Sequence, residues 1–368
     1  MSDNLKRYCD ILAALRKLCR TEPTGNHARH LTTLALFISG IVGSRKCQLG
    51  AVASKAAPGS LRESRIKRLT RWVQNERITP EVYFLPYLDA LLASLPAGPL
   101  VLVMDGSTVG RGCVALVVSV LYQKRALPVG WLVVVGEKGH LSDAQHQQLL
   151  AQIAQHLPQG RDVIFLGDGE FDGTGLLSAL TAQGWQFVCR TAKNAVVWEG
   201  ETDFRLSWLN IAAGELIELE NVFVTQGGFG PLLGVAYWKA GYDRPLYLLS
   251  NLELGEEAVY WYKKRFQIET FFSDQKSRGF GLDKSHLSDP KRLARLLMAS
   301  CLAYIWLVCL GVRVVQSGKL PLIHRKNRCD LSLFQIGLLW LDYCLNEGLP
   351  LIICFRLPLN KRRQKSVR

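Results

Sequence analysis

The sequence predicts a mixed α/β protein, a sheet-bearing unit preceded by an all-α one, and three observations carry that reading. Residues 5–95 place apolar side chains at three- and four-residue spacing, as in Leu5, Cys9, Leu12 and Leu15, the period of helices that bury one face. After Ala97-Gly98-Pro99 the pattern changes to aliphatic and β-branched runs at 100–105, 114–122 and 129–135, which read as three strands of an antiparallel meander. An amphipathic helix at 142–156, a buried strand at 163–168, a helix at 174–183 and a strand at 186–190 follow, giving the order βββαβαβ.

A meander that feeds alternating helices and strands is the order of a ribonuclease H-like α/β domain. In the all-α part before it, residues 45–57 read as a helix, Pro58-Gly59 breaks it, and a new helix starts at Ser60, where Ser60 and Glu63 have capping-box spacing. The pair resembles a helix-turn-helix. Its second helix carries Arg62, Arg65, Lys67, Arg68 and Arg71 before Trp72, cations suited to phosphate contacts beside a DNA groove; a solvated basic face on a structural helix is the alternative.

Residues 191–251 form a polar, glycine-bearing insertion with β-type runs at 196–198, 216–224, 232–238 and 246–249. A helix is expected over 255–276, then a loop, then an apolar helix from Lys291. Its core, residues 296–312, is seventeen residues long between Arg295 and Arg313 and holds Ser300 and Gly311, which favours a buried core helix over a membrane span. The expected division is 1–97, all-α and DNA-binding; 98–311, ribonuclease H-like with the β-rich insertion at about 191–251; and 312–368, helical and ending in a mobile basic tail with Lys361, Arg362, Arg363, Lys365 and Arg368.

The composition narrows the function classes. Forty-five Lys and Arg against 31 Asp and Glu give a net charge of +14, which favours a polyanionic partner, nucleic acid first. Ten cysteines without a C-x-x-C pair oppose a zinc site or a disulfide framework and fit a reducing compartment. No apolar signal segment opens the chain, because Lys6, Arg7, Arg16, Lys17 and Arg20 are spread through a helical pattern.

Two acids end apolar strands and precede glycine: Asp105 in the first strand of the sheet unit and Asp168 in the fourth. Asp-Gly after a strand is an ordinary turn dipeptide, but neighbouring strands would bring this pair to one sheet edge, where two hard oxygen ligands can hold Mg²⁺ or Mn²⁺. Glu170 and Asp172 are near enough to Asp168 to rival it. On the helix expected over 255–276, Tyr262, Arg265, Glu269 and Lys276 fall within a stripe about 60° wide. A carboxylate flanked by cations suits phosphodiester chemistry, with Glu269 completing a two-metal site and Tyr262, Arg265 and Lys276 holding backbone phosphates.

Tyr262-x2-Arg265-x3-Glu269-x6-Lys276 resembles the Y-R-E-K signature of the IS4-type family of DDE transposases. Asp105 in Val-Met-Asp-Gly-Ser-Thr and Asp168 in Leu-Gly-Asp-Gly-Glu-Phe resemble that family's two aspartates, and the β-rich insertion is a further shared trait. Gly169 departs from the basic residue that many relatives carry there. The resemblance implies an enzyme that cleaves the ends of an insertion sequence and joins the freed 3′ ends to target DNA, with two ions held by Asp105, Asp168 and Glu269. It also implies double-stranded DNA partners, the terminal repeats and the target, a homodimer in the DNA complex, and a cytoplasmic, nucleoid-associated place in a prokaryote. Some relatives cut the second strand through a DNA hairpin that needs an aromatic platform for an unstacked base, for which Trp238 is the candidate beside Trp198 and Trp208. The rival readings are a ribonuclease H-like nuclease, a catalytically inactive DNA-binding descendant of a transposase, and a membrane protein led by the apolar C-terminal segments.

Overall fold

The computed structural model describes residues 2–19, 21–57, 59–139, 141–225, 228–325 and 330–358. The basic tail, Pro58 and Cys329 lie outside them.

Among the described residues, six helices precede the first strand: α1 (Asp3–Lys17), α2 (Gly25–Ser44), α3 (Leu49–Lys55), α4 (Arg62–Gln74), α5 (Pro80–Tyr83) and α6 (Leu85–Leu92). The helix expected over 45–57 is shorter than its sequence pattern, because Arg45 takes a left-handed conformation (φ 54°) that ends α2 and the chain re-enters a helix only at Leu49. The capping box expected at Ser60 and Glu63 is absent too: the N-cap of α4 is Leu61, with no side-chain cap. Arg62 takes over the work at this helix start, with Nε on the Ser54 hydroxyl and Nη2 on the Gly50 carbonyl, so the α3–α4 turn is tied by a side chain from the second helix.

The order βββαβαβ is present as β1 (Leu100–Val109), β2 (Cys113–Tyr122), β3 (Arg125–Val135), α7 (Asp143–Ala154), β4 (Val163–Gly167), α8 (Thr174–Ala182) and β5 (Gln186–Arg190). β1, β2 and β3 pair antiparallel, while β1, β4 and β5 pair parallel. Parallel neighbours need crossovers, which α7 and α8 supply. β2, β4 and the first half of β1, residues 100–104, are nearly continuous apolar runs because both of their faces are covered. Ser142 starts α7 with a complete capping box to Gln145.

The insertion does not stand apart as a separate unit. It contains β6 (Val196–Glu199), β7 (Thr202–Arg205), β8 (Leu216–Val224), β9 (Phe229–Tyr237) and β10 (Leu246–Ser250), and β10 pairs antiparallel with β5. The result is one ten-stranded sheet in the order β3-β2-β1-β4-β5-β10-β9-β8-β6-β7. Free backbone groups on the outer edge of β5 would otherwise face solvent, and continuing the ladder satisfies them.

Four further helices close the fold: α9 (Gly255–Tyr262), α10 (Gln267–Gln275), α11 (Pro290–Gln316) and α12 (Leu333–Asn346). α11 packs against α2, α4, α12 and β3, and its most apolar stretch is 89% buried inside the protein, so this helix is a core element. α11 and α12 cross closely at two glycines, where a Cβ on Gly311 would meet the Leu333 carbonyl and one on Gly337 the Leu307 carbonyl.

Candidate active site

The register of the sheet assembles the first two acids. Leu100 lies beside Val163 and Val103 beside Leu166 in the parallel β1–β4 pair; carried two residues further, the same register sets Asp105 beside Asp168. Asp168 directly follows β4, as its sequence predicts, and its Oδ1 accepts from the Glu170 amide at 3.1 Å. Asp105 differs from expectation, since it sits inside the ten-residue β1 rather than at its end. The reason is pairing: beyond Val103, β1 loses β4 as a neighbour but continues against β2 to Val109, so the carboxylate emerges at a local sheet edge from within a strand.

The third acid arrives on a broken helix. Residues 255–276 are not one helix but α9 and α10, separated by Lys263, Lys264, Arg265 and Phe266. Through this stretch the amides of Lys264, Arg265, Gln267, Ile268 and Glu269 bond to the carbonyl three residues back, a tightened winding that advances side chains by about 120° per residue instead of 100°. Lys276 has left the helix as well (φ −103°, ψ −120°). The single helical stripe expected for Tyr262, Arg265, Glu269 and Lys276 is therefore replaced by a turn that brings the same residues to the site along separate paths.

At that site one side chain touches all three acids. Arg265 Nη1 is 3.7 Å from Asp105 Oδ2 and 4.0 Å from Asp168 Oδ2, and its Nη2 is 3.5 Å from Glu269 Oε1. The Tyr262 ring lies 5.8 Å from the Arg265 guanidinium carbon, and burial raises the pKa of its hydroxyl. Lys276 Nζ donates to Ser107 Oγ at 2.6 Å; Ser107 is two residues from Asp105 and so on the same face of β1. Burial lowers the Lys276 pKa.

Asp105 is 2% exposed. Burial raises its pKa above the ordinary carboxylate value, opposed by Lys138 and Arg265 and reinforced by Asp168. Lys138, which the sequence reading passed over, puts Nζ 2.8 Å from Asp105 Oδ1. It stands in Gly-Glu-Lys-Gly directly after β3, and a cation between two glycines at the end of a meander strand was the available signal.

The two rival acids are engaged elsewhere. Glu170 lies 3.8 Å from the buried His146, whose proximity lowers its pKa, and Asp172 accepts from the Thr191 hydroxyl at 2.7 Å. Among the described residues, no three of His, Cys, Asp and Glu stand as a group that could hold a metal ion. Arg265 occupies the space between the acids instead.

The remaining sequence candidates are not drawn into this cluster. Arg65 Nη1 donates to the Ala56 and Ala57 carbonyls and Arg68 Nε to the Thr33 hydroxyl; like Arg62, both brace neighbouring helices, while Lys67 and Arg71 on α4 are exposed. Trp238 directs its indole N–H to the Tyr242 carbonyl at 2.7 Å, and Trp208 is the exposed tryptophan of the insertion's three.

The family described as "Transposase DDE domain" matches residues 96–306. Among solved structures, the cryo-EM structure of the piggyBac transposase synaptic complex with hairpin DNA is similar at 12% identity and a TM-score of 0.48, over 98% of this chain and 85% of that one. No curated protein matches the chain. The family match covers more than half of the 368 residues and spans all three acids and Arg265, and on that ground the chain belongs to the family of transposases with a DDE domain.

Proposed function

We propose that this transposase is of the IS4 type: it cleaves the ends of an insertion sequence and transfers the freed 3′ ends to target DNA, with Asp105, Asp168 and Glu269 as the catalytic acids. The observation that carries this reading is the single guanidinium of Arg265 in reach of all three. Residues 1–97 then bind the element's end, residues 98–311 carry the ribonuclease H-like fold and the chemistry, and residues 312–368 are the helical C-terminal region with its basic tail.

As they stand, with Arg265 between them, the three acids are not a metal-holding group, but their chemistry fits a hard divalent cation once Glu269 turns toward the aspartates. All three ligands are carboxylates, and Asp105 Oδ1 is buried without a well-formed hydrogen bond. Glu269, 45% exposed on its side chain, has room to turn away from Arg265 toward the two aspartates. Asp105, Asp168 and Glu269 would hold Mg²⁺ or Mn²⁺, two ions, which lower the pKa of the attacking water or 3′-hydroxyl and neutralise charge on the reacting oxygens. The chain's own groups do the positioning: β1 holds Asp105 and the end of β4 holds Asp168, Arg265 released from the acids pairs with a phosphate, and Lys276 and Tyr262 hold the backbone. Lys67 and Arg71 extend the phosphate-binding surface on α4. Two element ends in one reaction call for a homodimer in the DNA complex, and a reducing bacterial cytoplasm with its nucleoid is the setting that fits ten cysteines without a C-x-x-C pair.

The test is Mg²⁺-dependent cleavage and joining of DNA carrying the flanking terminal repeats, wild type against Glu269→Gln. Joining that Glu269→Gln reduces by on the order of 10³-fold or more while DNA binding persists supports the transposase. Cleavage without joining favours the nuclease, and binding without either reaction, with Mn²⁺ also tried, favours an inactive DNA-binding descendant.

A further inference from the structure

We propose that Lys138 is a phosphate-holding residue of this site: it rests on Asp105 in the metal-free protein and turns to a non-bridging oxygen of the scissile phosphate when the acid takes up its cation. The inference rests on the reading of Asp105 as a metal ligand.

The turn after β3 is shaped to present this side chain. Gly136 (φ 145°) and Gly139 (φ 87°) flank it in conformations that side chains rarely adopt, so Glu137 and Lys138 project from a turn rather than from a continuing strand. The lysine stem then runs over Gly106, the neighbour of Asp105, where a Cβ would stand 3.9 Å from Lys138 Cγ. Its ammonium ends 2.8 Å from Asp105 Oδ1, with half of the lysine side chain exposed against 3% of the aspartate's. The group therefore spans from the buried acid to the open side from which DNA must arrive.

The contact is not that of a fixed strut. Lys138 Nζ and Asp105 Oδ1 stand 2.8 Å apart as a pair whose lysine side chain is half exposed, and a contact open to water exchanges partners at little cost. Arg265 approaches the other oxygen, Oδ2, from the α9–α10 turn, and the two cations thus sit on opposite oxygens of one carboxylate. Three acids are met by Lys138, by Arg265 and, beside them on Ser107, by Lys276, so the cluster by itself carries little net charge. Divalent ions on the acids make it strongly positive, and an ammonium 2.8 Å from a ligand oxygen then meets repulsion where it had attraction. A phosphodiester beside the acids is the nearest new anion, and a flexible four-carbon stem with three rotatable donors can follow it.

The experiment has two readouts on Lys138→Met and Lys138→Arg, each checked for native circular dichroism. Mn²⁺ binding to the DNA-free protein is measured by electron paramagnetic resonance of free Mn²⁺, and single-turnover cleavage of a terminal-repeat duplex is measured at saturating Mn²⁺. The expected result for Lys138→Met is Mn²⁺ binding tighter by about 2- to 5-fold, as a half-exposed competitor is removed, with cleavage slower by on the order of 10²-fold and partly restored in Lys138→Arg. Unchanged or weaker Mn²⁺ binding overturns the proposal. So does cleavage within about twofold of wild type, which would leave Lys138 a placeholder alone. Asp105→Asn separates the two layers: if it binds Mn²⁺ as wild type does, the metal-site reading itself fails, whereas loss of Mn²⁺ binding there leaves the Lys138 result to stand or fall on its own.

Discussion

Arg265 shows how much one side chain organises here. Its side chain is 15% exposed and its guanidinium lies between 3.5 and 4.0 Å from Asp105, Asp168 and Glu269, so it supplies positive charge that offsets the repulsion among these carboxylates. Arg265→Gln keeps a polar side chain, shorter than the original, and removes the charge. The metal-free protein should lose about 1–3 kcal/mol of stability, and millimolar Mg²⁺ should recover most of it; thermal unfolding with and without Mg²⁺ reads both. A variant as stable as wild type in chelator would show that the acids do not depend on this contact. Lys276 is a different case, because its partner is the neutral Ser107 hydroxyl, and Lys276→Ala should slow strand transfer with little effect on stability.

At the scale of elements, α10 is anchored to β3 by a buried ion pair, Arg125 Nη1 to Asp274 Oδ2 at 3.0 Å. Burial pushes the Asp274 pKa from 3.8 up to about 6, and Arg125 opposes that rise. A folded-state pKa above the unfolded one means that the protonated acid favours the fold: this contribution is fully present below about pH 4 and is lost as pH climbs through about 6. Arg125→Met strips the buried carboxylate of its partner, so the variant should lose about 3 kcal/mol at pH 7.5 and distinctly less at pH 5; equal losses at both would mean that ionised Asp274 is not the cause. On α4 the same logic sorts the arginines. Arg65→Met should lower the thermal midpoint, since its donors serve the Ala56 and Ala57 carbonyls, whereas Lys67→Ala and Arg71→Ala should leave the midpoint alone and weaken duplex binding, measured by fluorescence anisotropy.

Over the whole molecule, α11 unites the layers by packing on the N-terminal helices, on β3 and on α12. Its crossing with α12 has no room for a methyl group at Gly311 or Gly337, and Gly337→Ala should cost about 1–3 kcal/mol by forcing the helices apart, read by denaturant unfolding. The net charge of +14 sets the long-range behaviour toward DNA. The logarithm of duplex affinity should fall linearly with the logarithm of salt, with a slope of about −0.9 for each phosphate neutralised; binding indifferent to salt would remove counterion release as the driving force.

The sequence by itself determined the element order of the sheet unit and the burial of α11, and it singled out Asp105, Asp168, Glu269 and Arg265, which the fold brings within 4.0 Å of one guanidinium; each is written in a local pattern: apolar runs, a fixed spacing, a helix too apolar for solvent. Only the tertiary structure decided the rest. Asp105 reads as a strand end in the sequence because Asp-Gly punctuates turns, yet β2 carries the strand on to Val109. Ideal helical geometry placed Tyr262, Arg265, Glu269 and Lys276 on one stripe, but the chain tightens between α9 and α10 and leaves the helix at Lys276. The insertion joined the central sheet because β5 had an unpaired edge, and Lys138 came to Asp105 from a turn more than thirty residues away in the chain. Pairing, winding and long-range charge depend on neighbours that are distant in sequence, which local periodicity cannot register.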